Sequence, residues 1–197
     1  MGLSIFSNFT RMPHKIVIID DRPNRPLLHL SAETFQNLKD LPNVQFVTKK
    51  EEVDYTQFDV IAIHRSYVVS ANLGDELDNL IKNDSKYVVL FSGGVSQQTI
   101  TDRGHRAILG SEVFYSSHLL PFCRDLASDE DVQLYKLLYG IDTWRLPIML
   151  RLRQLYWLDP DEDNTDIDDE KDEIQETIGI DSARELEIEI KKLIAVV

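Results

Sequence analysis

The chain has 197 residues, of which 43% are hydrophobic, a composition typical of a globular protein with a sizeable core. The net charge is −13, but −10 of it lies between Asp159 and Glu176, so the remainder is close to neutral and offers no general attraction to nucleic acid. No apolar run reaches the length of about 18 residues that a membrane-spanning helix requires. The only cysteine, Cys123, cannot form an intramolecular disulfide and favours a reducing, cytoplasmic location.

Apolar segments alternate with helical segments along the first two thirds of the chain. We predict strands at Lys15–Ile19, Val44–Thr48, Phe58–Ile63, Lys86–Phe91 and, for the fifth, either Ala107–Leu109 or the preferred Glu112–Tyr115. We predict helices at Leu27–Leu38, Asp75–Lys82, Ser96–Arg103 and His118–Leu126. Because the strands are apolar on both faces, this alternation indicates a parallel α/β sheet with helices on both sides.

The pattern changes after Ser128. Residues Val132–Leu158 are helical in character, and Pro147 is predicted to break or kink this helix. An acidic segment follows, and a last helix, Ser182–Val197, begins with a capping box formed by Ser182 and Glu185. We therefore divide the chain into an α/β domain at 13–128, a helical extension at 129–158, an acidic linker at 159–177 and a C-terminal helix at 178–197.

Polar residues stand at the carboxyl ends of the predicted strands, where parallel sheets gather functional groups. Strand one ends in Asp20 and Asp21, strand three in His64, strand four in Ser92 and strand five near Ser116. Asp20 and Asp21 can also be read as capping residues of the following turn. His64 can be a structural histidine, a phosphorylated histidine or a ligand for zinc or manganese.

From Lys15 to Leu126 the chain resembles the receiver domains of two-component response regulators. Lys15–Asn24 resembles the first receiver strand with its acidic, magnesium-binding pair, Phe58–His64 the third strand, and Tyr87–Gly93 the fourth strand with its switch serine. The resemblance implies a flavodoxin-like, doubly wound sheet of five parallel strands in the order 2-1-3-4-5, followed here by a C-terminal helical extension.

Two receiver residues are missing. His64 stands where the family has its phospho-acceptor aspartate, and Ser116 stands nearest to the place of the conserved lysine. Acyl-phosphate formation needs a carboxylate nucleophile and a magnesium ion that neutralises the phosphoryl charge. The resemblance therefore implies a degenerate pseudo-receiver, with at most a residual magnesium site at Asp20 and Asp21.

The interpretation that we favour is a phosphorylation-independent regulatory or protein-interaction module of the signalling type, rather than an enzyme. The alternatives are a metal-dependent enzyme and a small-anion or nucleotide sensor, both using the cleft at Asp20, Asp21, His64 and Ser92. A protein partner or a homodimer is expected, with no nucleic acid, membrane or required cofactor. Aromatic residues of the extension are the candidate interface, because such residues are enriched in binding hot spots; they are Tyr135, Tyr139, Trp144, Tyr156 and Trp157.

The acidic segment has partial calcium-loop spacing. Asp159, Asp161, Asp163 and Glu170 occupy the first, third, fifth and twelfth positions of such a loop. Asn164 replaces the preferred glycine, and the sequence shows no second loop to pair with the first. A solvated linker is therefore the favoured interpretation, and calcium binding is the disfavoured one.

Overall fold

A computed structural model describes residues 13–49, 53–128, 131–157 and 165–195. Its centre is a six-stranded sheet in the order β2-β1-β3-β4-β6-β5. All neighbours pair in parallel except β5 and β6, which are antiparallel. The strands are β1 Ile16–Ile19, β2 Val44–Val47, β3 Val60–His64, β4 Tyr87–Ser92, β5 Thr99–Thr101 and β6 Arg106–Gly110.

Nine α-helices accompany the sheet in the described ranges. They are α1 Ala32–Lys39, α2 Arg65–Ala71, α3 Gly74–Asp84, α4 Ser111–Phe114, α5 Leu119–Asp125, α6 Leu134–Tyr139, α7 Arg145–Tyr156, α8 Thr165–Ile178 and α9 Ala183–Ile194. Short 3-10 turns cover Pro26–Leu28 and Tyr55–Gln57. No helix among the described residues is long and apolar enough to cross a membrane.

The two faces of the sheet form two separate cores, because successive side chains of a strand point to opposite sides. On one face Ile16 and Ile18 pack with Leu38 of α1 and Phe122 of α5. On the other face Val17, Ile19, Ile61 and Ile63 pack with residues of α3, including Leu77. The α/β class and the cover of helices on both faces, expected from the apolar strands, are therefore confirmed.

The predicted sheet of five parallel strands in the order 2-1-3-4-5 is wrong. The segment predicted as a helix at Ser96–Arg103 contains β5 instead, which forms an antiparallel hairpin with β6. The preferred fifth strand, Glu112–Tyr115, is also wrong, because Arg106–Gly110 pairs with β4 and the chain then enters α4. β-Branched Thr99, Ile100 and Thr101 favour a strand, and burial of Phe114 and Tyr115 explains the apolar pattern of the rejected segment.

The helical extension is divided differently from the prediction. The helix expected over Val132–Leu158 is interrupted after α6 at Gly140, whose φ of +88° favours glycine. Pro147 does not cause the break, because it lies in the first turn of α7, where a proline is tolerated. Residues 165–177, assigned to the acidic linker, belong to helix α8, because Ile174 and Ile178 bury an apolar edge against the neighbouring helices.

Helices α7, α8 and α9 enclose a third core that includes Trp144, Leu152 and Ile174. Helix α9 contributes Leu186 and Ile190 to this core, so both residues pack within the chain. Ser182 caps α9 by accepting a hydrogen bond from the backbone N–H of Glu185 at 3.3 Å. The carboxylate of Glu173 on α8 accepts the N–H of Gly104 at 2.9 Å and so joins this unit to the β5–β6 turn.

Candidate functional site

The acid pair after β1 is occupied by the guanidinium of Arg25. Asp20 is 4% exposed, and its Oδ1 accepts hydrogen bonds from Arg25 Nη1 at 2.5 Å and from the backbone N–H of Arg22 at 2.9 Å. Arg25 Nη2 donates to Asp21 Oδ1 at 3.0 Å. One buried cation therefore bridges the two carboxylates.

The turn after β1 places Arg25 at this site. The backbone N–H of Arg25 donates to Arg22 O at 3.0 Å, and Pro26 then begins a 3-10 turn with φ fixed by its ring. This turn returns the chain toward the acid pair within five residues. Arg25 was not among the residues predicted for the site, although an arginine four and five residues after two aspartates is a signal for an ion pair.

Tyr115 closes the buried side of Asp20. Its hydroxyl donates to Asp20 Oδ2 at 2.8 Å, although the two residues are 95 positions apart. The Tyr115 side chain is fully buried, and burial is the main reason that its pKa is raised. Both carboxylate oxygens of Asp20 are therefore engaged by protein groups.

Asp21 is held in its ionised form by the same guanidinium. Partial burial on its own would raise the pKa of the Asp21 carboxyl. The hydrogen bond and the charge of Arg25 outweigh that effect, and a contribution from His64 adds to it, so the pKa is lowered from its ordinary value. Arg25 thus supplies the positive charge that stabilises the exposed member of the pair.

His64 lies beside the pair and caps the helix that follows it. Its Nδ1 accepts the backbone N–H of Ser66 at 3.3 Å, lies 2.7 Å from Ser66 Oγ and is 3.8 Å from Asp21 Oδ1. Burial, followed by the charge of Arg25, lowers the His64 pKa, although Asp20 and Asp21 oppose this effect. A neutral imidazole that accepts at Nδ1 fits this position, so the contacts favour the structural role for His64.

Ser92 and Ser116 do not contact the acid pair among the described residues. Ser92 ends β4, and its Oγ accepts the N–H of Gly94 at 3.2 Å. Ser116 lies beyond α4 rather than at a strand end, and its Oγ accepts the N–H of His118 at 3.3 Å. The expectation that Ser116 follows the fifth strand is therefore wrong. The residue directly after β6 is Ser111, which is 4% exposed.

The site does not fit the magnesium ion that the receiver resemblance implies. Magnesium requires several oxygen ligands in octahedral geometry. Here both oxygens of Asp20 are engaged, a histidine replaces the third carboxylate, and a guanidinium lies between the two aspartates. A divalent cation at this place would be repelled by Arg25. Within the described residues, no group of three or more His, Cys, Asp or Glu side chains is arranged to hold a metal.

The candidate calcium loop is described only at its last position. Asp159, Asp161 and Asp163 lie outside the described residues. Glu170 lies in α8, where both of its carboxylate oxygens accept from the Arg151 guanidinium at 2.7 Å. The two carboxylate oxygens of Glu170 that would coordinate calcium as a bidentate ligand are thus already paired with the Arg151 guanidinium.

The aromatic residues of the extension divide between core and surface. Trp144 is 8% exposed and stacks on Tyr135, with a ring-centroid distance of 6.4 Å. Tyr156 is half-buried, and its hydroxyl accepts from Gln175 at 2.9 Å. Tyr139 is 37% exposed and Trp157 is 80% exposed. Trp144 is therefore unavailable as an interface residue, whereas Trp157 presents almost its whole side chain.

No protein-family model matches the chain, and comparison with curated proteins and with solved structures gave no match. The likeness to receivers therefore rests on the mostly parallel sheet and on the residues at its carboxyl edge.

Proposed function

We propose that this chain is a pseudo-receiver that acts as a phosphorylation-independent protein-interaction module. The observation that carries the proposal is that the Arg25 guanidinium forms ion pairs with both Asp20 and Asp21. In a working receiver that place belongs to a metal ion. Here a covalently attached side chain supplies the cation permanently, so the charge state of the site no longer depends on metal or phosphate.

The chemistry of His64 supports the same conclusion. An imidazole cannot form an acyl phosphate, and its Nδ1 is engaged with Ser66 at the start of α2. Arg25 and Tyr115 hold Asp20 from two directions in one arrangement. The domain is consequently fixed in one state and serves as a scaffold rather than a switch.

The surface that we assign to binding lies on α7 and α9. Trp157 is the residue that follows α7, seven positions after Leu150, and the two are 80% and 39% exposed. Ile188 and Ile194 of α9 are 47% and 57% exposed. Trp157 lines a shallow pocket with Ala183 and Glu187 of α9, so an exposed tryptophan lies where the two helices meet, and exposed tryptophans are enriched in binding hot spots. A second copy of the chain is the partner that we propose, because two-fold dimers are the commonest closed assemblies.

A magnesium and beryllofluoride titration tests the loss of phosphoryl chemistry. The melting temperature should not change when magnesium and beryllofluoride are added together, relative to the same ionic strength of sodium salts. Fluorine NMR should show no protein-bound beryllofluoride signal. A saturable, magnesium-dependent stabilisation, or a phosphorylated His64 detected by mass spectrometry after treatment with acetyl phosphate, would contradict the pseudo-receiver assignment.

Trp157→Ser tests the binding surface. Truncation of a hot-spot residue costs about 2 kcal/mol, or about thirtyfold in affinity, and a two-fold dimer carries the substitution twice, so its Kd should rise by at least about thirtyfold. Sedimentation velocity over a range of concentrations should detect this change. Leu28→Ser is the matched control, because Leu28 is 77% exposed but belongs to the turn after β1. Equal dimer affinity in the two variants would refute the assignment of this surface.

A further inference from the structure

We infer that a cleft between α1, β2 and the turn after β1 binds a small organic anion with a planar apolar body. The cleft has a volume of about 500 Å³, which is within the range of small-molecule sites. It lies at the carboxyl ends of β1 and β2, where Asp20 follows β1 and Thr48 follows β2. Asp20 of the acid pair lines the cleft, but the inference does not rest on the proposed function, because it uses neither the loss of phosphoryl chemistry nor the α7–α9 surface.

The floor of the cleft is apolar and aromatic. Phe35 and Phe46 meet edge to face, with ring centroids 5.2 Å apart and an interplanar angle of 89°. Pro26 and Leu27 also line the cleft, and Leu27 is 45% exposed. Both phenylalanine rings are only half-buried, so a flat ligand placed against them would remove apolar surface from water.

The charged groups of the cleft favour an anion. Asp20 is its only lining carboxylate among the described residues, and Arg25 neutralises that carboxylate. Arg22 and Lys39 also line the cleft, and neither forms an ion pair within the ranges that the structure describes. The Lys39 ammonium lies 4.9 Å from the centroid of the Phe35 ring, which holds it over the apolar floor.

These features together select the class of ligand. The apolar floor favours an aromatic or alicyclic body, and the two cations favour one carboxylate or similar anionic group at its edge. A highly charged polyanion would gain nothing from the phenylalanine rings, and a neutral hydrocarbon would leave Arg22 and Lys39 unused. Binding of a compound as small as naphthoate is expected with a Kd of about 1 mM or lower.

Isothermal titration with 1-naphthoate, 1-naphthalenemethanol and inorganic phosphate tests the inference on the full chain. Naphthoate should bind about tenfold more tightly than the neutral alcohol, and phosphate alone should not bind detectably. Amide NMR shifts should concentrate at residues 32–39 and 46–48. No saturable naphthoate binding at millimolar concentration, equal binding of the alcohol, or shifts elsewhere in the chain would overturn the inference.

Lys39→Glu provides the residue-level test. Lys39 is exposed, so the fold should persist, while replacement of attraction by repulsion should weaken naphthoate binding about tenfold. Lys82→Glu is the control, because it makes the same change of charge on α3, which packs against the other face of the sheet. Equal affinity in the two variants would show that net charge, and not the cleft, governs binding. Failure here would leave the beryllofluoride result unaffected.

Discussion

Arg25→Ala should destabilise the protein strongly, because it leaves a buried carboxylate without its cation. The side chains of Asp20 and Arg25 are only 5% and 9% exposed. Removal of one partner from a buried ion pair costs about 3–5 kcal/mol. Asp20 keeps its hydrogen bonds from Arg22 N–H and the Tyr115 hydroxyl, so the lower end, about 3 kcal/mol, is expected. For a chain of this size, that loss corresponds to a fall in Tm of about 6–12 °C.

Urea denaturation followed by circular dichroism measures this loss directly. Arg22→Ala is the control, because its exposed side chain makes no ion pair within the described part of the chain and its substitution should cost no more than about 0.5 kcal/mol. Addition of Asp20→Asn to Arg25→Ala should recover at least about 1 kcal/mol, since the unpaired charge is then gone. If Arg25→Ala is no less stable than Arg22→Ala, the guanidinium is not the cation of the site.

Three further perturbations have defined outcomes. Tyr115→Phe should cost about 1.5–3 kcal/mol in urea denaturation, because it removes a hydrogen bond to a buried carboxylate, and an unchanged stability would contradict that contact. The pKa of Glu173 is raised above its ordinary value of 4.5, mainly by burial. The folded state therefore binds more protons at this residue than the unfolded state does, and the free energy of unfolding falls as pH rises above 4.5. Glu173→Gln should remove that fall in melting profiles taken from acid to neutral pH, and an unchanged pH profile would argue against a buried Glu173. Millimolar calcium should leave the melting temperature unchanged, because Arg151 already pairs with Glu170; a saturable rise that Glu170→Gln abolishes would restore the calcium loop.

The central strands could be predicted because burial on both faces leaves a continuous apolar run. Ile16–Ile19 and Val60–Ile63 are fully buried, and no other local structure suits such short runs between turns. The β5–β6 hairpin could not be predicted by the same rule. β5 has three residues, and its turn places Asp102 and Arg103 at φ of 55° and 53°, a left-handed conformation that is uncommon for residues other than glycine.

The site was predictable only in part. The strand-end rule identified Asp20, Asp21 and His64, and their contacts place them together. Tyr115 and Asp20 are 95 residues apart in the sequence and meet only in the folded chain. No local sequence pattern could therefore predict their hydrogen bond. Tyr115 was instead assigned to a strand, because its apolar neighbours suggested one. Its true position, just past α4, follows from the pairing of β6 with β4.

Light scattering of the full chain, with and without acetyl phosphate and magnesium, tests the central claim most directly. The proposal of a phosphorylation-independent module that dimerises predicts about twice the 22.7 kDa mass of one chain under both conditions. The chain with its native Arg25 should keep this dimer mass even when acetyl phosphate is in excess. A monomer at every concentration, or a mass that changes only when acetyl phosphate and magnesium are both present, would contradict the account.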